Sequence, residues 1–325
     1  MAMIPDLMAL WPGLLGQALQ MLLVLAIAPL VLGITRKVKA HVLRRIGPPV
    51  WQPYLDIWKL LHKEMVLAHN ASWIYRTAPY VIFGVTWVAA ALVPTYASNL
   101  MFSWSADLIV IVALLAAGRF ALALAGMDVG TAFGGIGSSR EIMIASLAEP
   151  AMLLVVFTVA LIAGTTQLST IAENFIGGEV GLRVSLGLAL VAFICVAIAE
   201  NARIPIDNPS THLELTMVHE AMVLEYSGRH LAMIELAAAV KLVLYFSLLA
   251  CLFFPFGMAT TDKAPEALAI GGLSYLGKIA ALAILLPIGE TAVAKMRVFR
   301  YPVFLGGAFV AGALAVFLLF VSRSL

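Results

Sequence analysis

Cysteines and charged residues are both scarce in this sequence. It contains two cysteines, Cys195 and Cys251, each inside an apolar run, and it has no C-x-x-C or C-x-x-C-H motif. An iron–sulfur cluster, a zinc ribbon or a c-type haem needs such thiolate sets, so we expect no cofactor in this chain and place any electron transfer in partners. Only 12% of the 325 residues are charged and the net charge is +2, which gives no field that favours nucleic acid.

Apolar residues dominate instead. They make up 62% of the chain, and the mean hydropathy is +1.01, far above what a soluble core of this size requires. The sequence predicts an all-α integral membrane protein, a single membrane domain over residues 1–325 that forms an eight-transmembrane-helix bundle. The eight apolar runs lie at about 13–34, 79–97, 107–126, 142–164, 182–199, 231–254, 268–288 and 302–321.

Lysines and arginines predict the orientation of this bundle, because basic loops resist translocation. Fourteen of the 20 basic residues fall in the loops after runs 1, 3, 5 and 7. We therefore expect both termini on the outer (periplasmic) side of the cell inner membrane and three substantial cytoplasmic loops. The cytoplasmic segments lie at about 35–78, 127–141, 200–230 and 289–301.

The first two cytoplasmic segments differ in character. Residues 51–64, WQPYLDIWKLLHKE, follow a Gly-Pro-Pro break and carry an apolar helical face, which fits either a helix on the membrane surface or an ordinary juxtamembrane anchor. Residues 126–141, GMDVGTAFGGIGSSRE, are glycine-rich without a phosphate-loop pattern, so they predict a tight loop. Ser138 and Glu141 would form a capping box for the next helix, leaving Asp128 and Arg140 to face a partner.

The third segment, residues 199–228, reads AENARIPIDNPSTHLELTMVHEAMVLEYSG and carries five carboxylates. Thr211 and Glu214 form a T-x-x-E box that predicts a short helix from His212 to about Glu225. A zinc site is not expected, because His219 begins an H-E-x-x-H pattern whose second histidine is replaced by Val223. Capping alone would explain Glu214, but it would not explain the other carboxylates of the segment.

Several ionisable residues fall inside the apolar runs, where each costs roughly 2.5 to 3.5 kcal/mol on insertion scales. Together with the cytoplasmic carboxylates they predict a polar gradient that a proton or ion path would need. Salt bridges between helices, or contacts with a neighbouring subunit, are the alternative for the lysines. Arg119 lies close enough to the cytoplasmic end to reach the surface. The predicted path comprises Glu149, Glu200, Glu220, Glu225, Glu235, Lys241, Lys278 and Glu290.

The third segment resembles the third cytoplasmic signature of the H-subunit family of respiratory complex I, A-E-x-x-R-x-P-x-D-x-P with a later E-Y-S-G. The stretch RRIGPPVWQPYLDIWKLLHKE is similar to a shortened form of the first signature of that family. Within the family, T-H-L-E-L-T-M-x-H-E and G-S-S-R-E-x-M-x-x-S-L-A-E-P most resemble the membrane subunit of group 4 NiFe hydrogenases, of the hydrogenase-4 component C and formate hydrogenlyase subunit 4 type.

The resemblance implies a subunit that docks an electron-transfer arm and couples its redox chemistry to ion movement. The implied partners are hydrogenase large and small subunits and iron–sulfur subunits, which would hold the NiFe centre and the clusters, and antiporter-like membrane subunits. The implied coupling residues include Glu149, Glu200, Arg203, Asp207, Glu214, Glu220 and Glu225. The residues expected to dock partners are Arg44, Arg45, Asp56, Lys59, Lys63, Glu64, Asp128, Arg140, Glu141, His212 and His219.

Two other functions stay open at this stage. One is the quinone-site subunit of a complex I-like NADH dehydrogenase, although residues 47–49 and 208–212 depart from the complex I pattern in loops that shape the quinone chamber. The other is a stand-alone ion transporter. We expect the first function, the membrane-anchor and ion-coupling subunit of a membrane-bound hydrogenase complex, with no catalytic centre in this chain.

Overall fold

The fold of the chain is helical throughout the part that the computed structural model describes, which is residues 7–98, 100–178, 183–203, 218–259, 265–292 and 301–324. A short 3-10 turn at Ser103–Ser105 and two isolated β-bridges complete the regular structure of these ranges. In chain order the helices are α1 (Leu7–Val42), α2 (Gln52–Leu61), α3 (Trp73–Leu92), α4 (Leu108–Asp128), α5 (Ala132–Ala163), α6 (Leu168–Ile176), α7 (Val184–Glu200), α8 (His219–Val223), α9 (Gly228–Phe253), α10 (Pro265–Ala292) and α11 (Tyr301–Ser324).

The prediction of an all-helical membrane protein is confirmed. Six of the described helices, α1, α4, α5, α9, α10 and α11, are long and apolar enough to cross a bilayer. The other two predicted runs also lie in helices. Helix α7 is apolar but only 17 residues long, and α3 has 20 residues with Arg76 and Pro79 in its first two turns. A count of eight spans, and their orientation, stay predictions.

Helix α9 forms the centre of the bundle. In the most apolar 18-residue stretch of α9, 78% is buried inside the protein. The corresponding share is 22% in α10, which lies at the periphery. Helix α9 packs against α1, α2, α3, α6, α7 and α10. A second group, α4, α5, α7 and α11, packs side by side, and α7 of this group contacts the central helix.

The predicted glycine-rich loop at 127–141 is wrong, because residues 132–141 are the first turns of α5. Thr131 is the N-cap and its side chain accepts a hydrogen bond from the Gly134 amide, so Ser138 is a buried helical residue and does not cap anything. The glycines serve close packing. A Cβ at Gly134 would overlap the carbonyl oxygen of Gly126, and one at Gly137 would lie 3.0 Å from the Val218 carbonyl oxygen beside α8.

The other predicted segments outside the membrane contain more helix than expected. Helix α1 continues to Val42, eight residues past the predicted limit, and α2 forms within the segment 35–78. Helix α10 includes 289–292, and residues 293–300 lie outside the described chain. Of the helix predicted from His212 to Glu225, the structure shows α8 at His219–Val223, and residues 212–217 lie outside the described residues.

The tight contact at Gly134 generates a testable prediction. Gly134→Ala should destabilise the protein by about 1–3 kcal/mol, because the new methyl group meets backbone that cannot move without opening the contact between α4 and α5. The matched control is Gly135→Ala, where nothing lies within 4 Å of the new Cβ and helix propensity favours alanine. Thermal unfolding in detergent measures both. Equal midpoints for the two variants would contradict the packing role.

Candidate functional site

Arg119 is the centre of the candidate site. It lies near the middle of α4, and its side chain is only 6% exposed. Its guanidinium meets three carboxylates from two other helices: Nε lies 3.7 Å from Glu141 Oε1, Nη1 lies 3.4 Å from Glu149 Oε1, and Nη2 donates to Glu200 Oε1. A planar group with five donors can serve several acceptors at once, so one arginine connects α4 with both α5 and α7.

Lys241 completes a set of five charged residues that we call the buried ion network: Arg119, Glu141, Glu149, Glu200 and Lys241. It projects from the central helix α9, and its Nζ lies 3.1 Å from Glu200 Oε2. The two oxygens of Glu200, a side chain only 3% exposed, are thus held by two cations on two different helices. Glu149 is the most accessible member, since 39% of its side chain is exposed. The buried ion network therefore runs from a partly exposed carboxylate to a fully enclosed one.

A cavity of about 110 Å³ opens beside these charges. Arg119, Glu141, Glu200 and Lys241 line it on the polar side, together with His219 from α8. Its apolar side includes Ile82, Leu115, Leu122, Ile234 and Ala237. A cavity of this size with charged side chains on its wall has room for water that makes several hydrogen bonds, which is a physical requirement for proton movement between groups that do not touch.

The charges of the buried ion network do not balance. Among the described residues, three carboxylates face two cations, so one negative charge is in excess. Glu149 is the carboxylate most able to keep its charge in contact with solvent, since 39% of its side chain is exposed. An excess of negative charge favours the uptake of a proton or another cation at this site.

Glu290 organises a second, smaller group of charges. Lys39 Nζ, from α1, lies 2.6 Å from Glu290 Oε2, and Arg203 Nη1 lies 3.7 Å from Glu290 Oε1. The carboxylate is only 3% exposed. Burial lowers the pKa of Arg203 from its ordinary value, and the neighbouring Glu290 carboxylate opposes this shift. This group ties the ends of α1, α7 and α10 together.

Glu235 lies apart from both groups. It precedes Lys241 by six residues on α9 and lines a separate cavity of about 150 Å³ together with Arg36, Asp56 and Leu60. Arg36 Nη1 and Asp56 Oδ2 are 3.9 Å apart, and both side chains are about half exposed. A larger apolar cavity of about 450 Å³ lies nearby between α1, α2 and α9. Helix α2 thus packs on α1 and α9 and encloses space beneath it.

Lys278 is also placed away from the buried ion network. Its Nζ donates to the carbonyl oxygens of Phe254 and Phe256, at 2.7 and 2.5 Å, where α9 ends. Phe254 is 13 residues beyond Lys241, which is about 20 Å along a helix. Lysine is well suited to satisfy the free carbonyls at a helix C-terminus. The structure brings Lys241, near the middle of α9, to Glu200, whereas Lys278 makes a capping contact at the C-terminal end of α9.

The residues predicted in the third segment, 199–228, lie in different surroundings. His219 lines the cavity of the buried ion network, whereas Glu220 and Glu225 are exposed in and just after α8. Asp207, His212 and Glu214 lie outside the described residues.

Of the residues expected to dock partners, some are partly buried and others are exposed. Asp128 accepts a hydrogen bond from the Ser72 amide at the start of α3, and Glu141 turns inward toward Arg119. Asp56 is half-buried and pairs with Arg36, and Arg140 is half-buried. The exposed members of the set are Arg44, Arg45, Lys59, Lys63 and Glu64.

Sequence reasoning missed the role of Arg119. An arginine close to the end of an apolar run is expected to extend toward the membrane surface, yet this side chain is buried. The sequence did contain one signal. A cation buried without partners costs free energy, so an arginine inside an apolar run indicates carboxylates on neighbouring helices. The helix containing Glu141 begins earlier than predicted, and this extension places Glu141 on α5 beside Glu149. No group of three or more potential metal ligands occurs among the described residues.

The comparisons with known proteins agree with this architecture. A family model described as NADH dehydrogenase matches residues 16–321, nearly the whole chain. The chain belongs to this NADH dehydrogenase family, that of the H-subunit. It is accordingly a multi-pass membrane protein.

Two relatives within this family are from Escherichia coli (strain K12). The chain is 33% identical to hydrogenase-4 component C over 279 residues, covering 86% of this chain and 87% of the relative. It is 31% identical to formate hydrogenlyase subunit 4 over 279 residues, covering 86% and 90%. A chain in the structure of the membrane-bound sulfane sulfur reductase, an archaeal respiratory membrane complex, has a TM-score of 0.80 at 21% identity, covering 94% of this chain and 99% of that chain. The last likeness establishes the fold alone.

Removing the charge of Arg119 tests whether its ion pairs stabilise the protein. Arg119→Gln should destabilise the protein by about 3–5 kcal/mol, because it leaves three carboxylates facing one lysine. The double variant Arg119→Gln/Glu200→Gln should lose less stability than the sum of the single variants, since the two side chains interact. Thermal unfolding in detergent gives the four values of this cycle. Arg229→Gln, at an exposed position, is the control, and strict additivity would contradict the pairing.

Proposed function

We propose that this chain is the membrane-anchor and ion-coupling subunit of a membrane-bound NiFe hydrogenase complex of the hydrogenase-4 or formate hydrogenlyase type. Family membership and the identity to two hydrogenase membrane subunits support the type of complex. In this proposal the partners are the hydrogenase large and small subunits, iron–sulfur subunits and antiporter-like membrane subunits. The NiFe centre and the clusters belong to those partners.

The buried ion network is the observation that supports coupling. Glu200 is shared between Arg119 and Lys241, which lie on different helices. When Glu200 takes up a proton, its attraction to both cations weakens, and either cation can then turn toward another carboxylate. Such a network converts a change of protonation into a change of contacts between α4, α7 and α9, which is what linkage of redox chemistry to proton or sodium movement requires.

The docking part of the proposal relies on the exposed charges near α2. The exposed charged residues of the segment that follows α1 include Arg44, Arg45, Lys59, Lys63 and Glu64. Charged rims of this kind steer a complementary partner and set its orientation. With the orientation predicted by the basic loops, this surface faces the cytoplasm of the cell and the electron-transfer arm binds there.

The decisive test is ion movement during hydrogen turnover. In inverted membrane vesicles that contain the whole complex, Glu200→Gln and Glu149→Gln should strongly reduce ion uptake per hydrogen formed, because a glutamine amide cannot take up and release the proton that the proposed path requires. Glu266→Gln, which changes an exposed carboxylate in the first turn of α10, should behave as wild type. A proton-sensitive dye and a sodium assay distinguish the ions. Unchanged uptake in both network variants would refute the coupling role.

A quinone-site subunit is the second candidate, and one observation favours it. The cavity of about 450 Å³ between α1, α2 and α9 is lined by apolar and aromatic side chains, including Leu25, Tyr54, Trp58 and Leu236. Its size and lining suit an apolar ring system. A photoactivatable quinone that labels α2 in the purified complex, with protection by excess quinone, would support this candidate over the hydrogenase proposal.

The third candidate is a stand-alone transporter, and co-purification distinguishes it from the two redox candidates. Purification in mild detergent should recover this chain together with nickel–iron and iron–sulfur subunits if the proposal is right. A lone chain that still moves ions in liposomes would refute both redox candidates.

A further inference from the structure

A second apolar cavity, of about 330 Å³, lies on a different side of the central helix. It is bounded by α7, α9 and α10, and its walls are almost entirely apolar. Representative lining residues are Leu190, Ile194, Leu249, Phe254, Leu282 and Leu285. The only charged residue among those that line it is Arg203, which follows the C-terminal end of α7 beside Asn201. We refer to this space as the α7–α10 groove.

The α7–α10 groove is long and laterally open. Its lining on α7 extends from Leu190 to Asn201, 11 residues or about 16 Å along a helix. Leu285 is 60% exposed and Phe254 is 47% exposed along its edge, so the groove is accessible from the side of the bundle. In a membrane protein this side contacts the acyl chains of lipids.

The charge at the end of the groove is positive. Glu290 pairs with both Lys39 and Arg203, so this described group has two cations for one carboxylate. Arg203 offers five donors, and the pair with Glu290 engages one of its nitrogens. Because burial disfavours the charged guanidinium, a second anion beside it would be stabilising.

The lining of the groove indicates the kind of occupant. Its walls are almost entirely apolar, and the one charged residue among those that line it is a cation, which matches the apolar tail and the anionic head of a phospholipid. A single acyl chain is thin and flexible, and each buried methylene contributes about 0.8 kcal/mol. Basic pockets between membrane helices on the cytoplasmic side are known to hold anionic lipid headgroups.

We propose that the α7–α10 groove binds one anionic phospholipid, with an acyl chain along α9 and the phosphate hydrogen-bonded to Arg203. The site is distinct from the buried ion network, although Asn201 lines both cavities. The lipid is therefore placed next to Glu200 without taking part in its ion pairs. The proposal does not depend on hydrogenase activity, since it concerns this chain in any membrane complex.

Native mass spectrometry of the full-length chain tests the headgroup. The probes are dioleoyl phosphatidylglycerol and dioleoyl phosphatidylcholine, which have the same acyl chains and differ in net charge. Both lipids offer a phosphate to Arg203, but the choline cation of phosphatidylcholine offsets the charge of its phosphate. Wild type should therefore retain one phosphatidylglycerol with about a tenfold preference, and Arg203→Gln should remove this preference. Arg183→Gln, an exposed arginine at the other end of α7, should retain it. Millimolar inorganic phosphate should not displace the lipid.

A matched pair of glycines tests the acyl-chain site. Gly289 and Gly277 are both exposed on α10 with nothing within 4 Å of an added Cβ, but only Gly289 lines the groove. Gly289→Leu should lower retention of both lipids about tenfold, and Gly277→Leu should have no effect. Ala197→Leu, on the opposite wall, provides a second blocking variant if Gly289→Leu does not fold. Equal retention of the two lipids by wild type, or full retention in the blocking variants, would overturn the proposal.

Crosslinking in the native membrane separates a lipid from a protein occupant. A photoactivatable amino acid at position 285, on the edge of the groove, should form adducts that are enriched in anionic phospholipid, as the mass of the purified chain reveals. The same substitution at position 273, which is 74% exposed on α10 in the wild type and does not line the groove, is the control, and its adducts should have the lipid composition of the membrane. A protein adduct at position 285 in place of the lipid adduct would overturn the proposal.

Discussion

The pairing of Arg119 with three carboxylates is the constraint on which the centre of the structure depends. Placing a charged side chain inside a bilayer costs free energy, and this cost falls when opposite charges and hydrogen-bonding groups surround the side chain. Arg119 on α4 therefore requires Glu141 and Glu149 on α5 and Glu200 on α7 to be close, and Glu200 in turn holds Lys241 on α9. Four helices are tied to one another by electrostatics as well as by packing.

This way of joining helices differs from apolar packing in its consequences. Apolar contacts such as those around α9 have no dependence on protonation, whereas the buried ion network changes whenever a proton or cation enters it. The same groups therefore stabilise the bundle and make its contacts responsive. The coupling role proposed for this chain would need both properties.

The polar residues at the C-terminal end of α7 have different surroundings. Glu200 is the last residue of α7 and joins the buried ion network, while Arg203, three residues later, lies with Glu290 at the end of an apolar groove. The end of one helix thus provides one residue for the buried ion network and one for the charged end of the groove. Asn201 lies between them and lines both spaces.

The sequence by itself determined the helical membrane class, because apolar runs long enough to cross a bilayer allow few other structures. Its motifs also identified the family, and its rare charges identified Glu149, Glu200 and Lys241 as residues of interest. Only the tertiary structure showed that the glycines before Ser138 permit helix packing, that Arg119 is the buried partner and that Lys278 caps α9. The physical reason is that a sequence gives each charge its position along a helix, whereas its partners depend on how that helix is rotated and packed against the others.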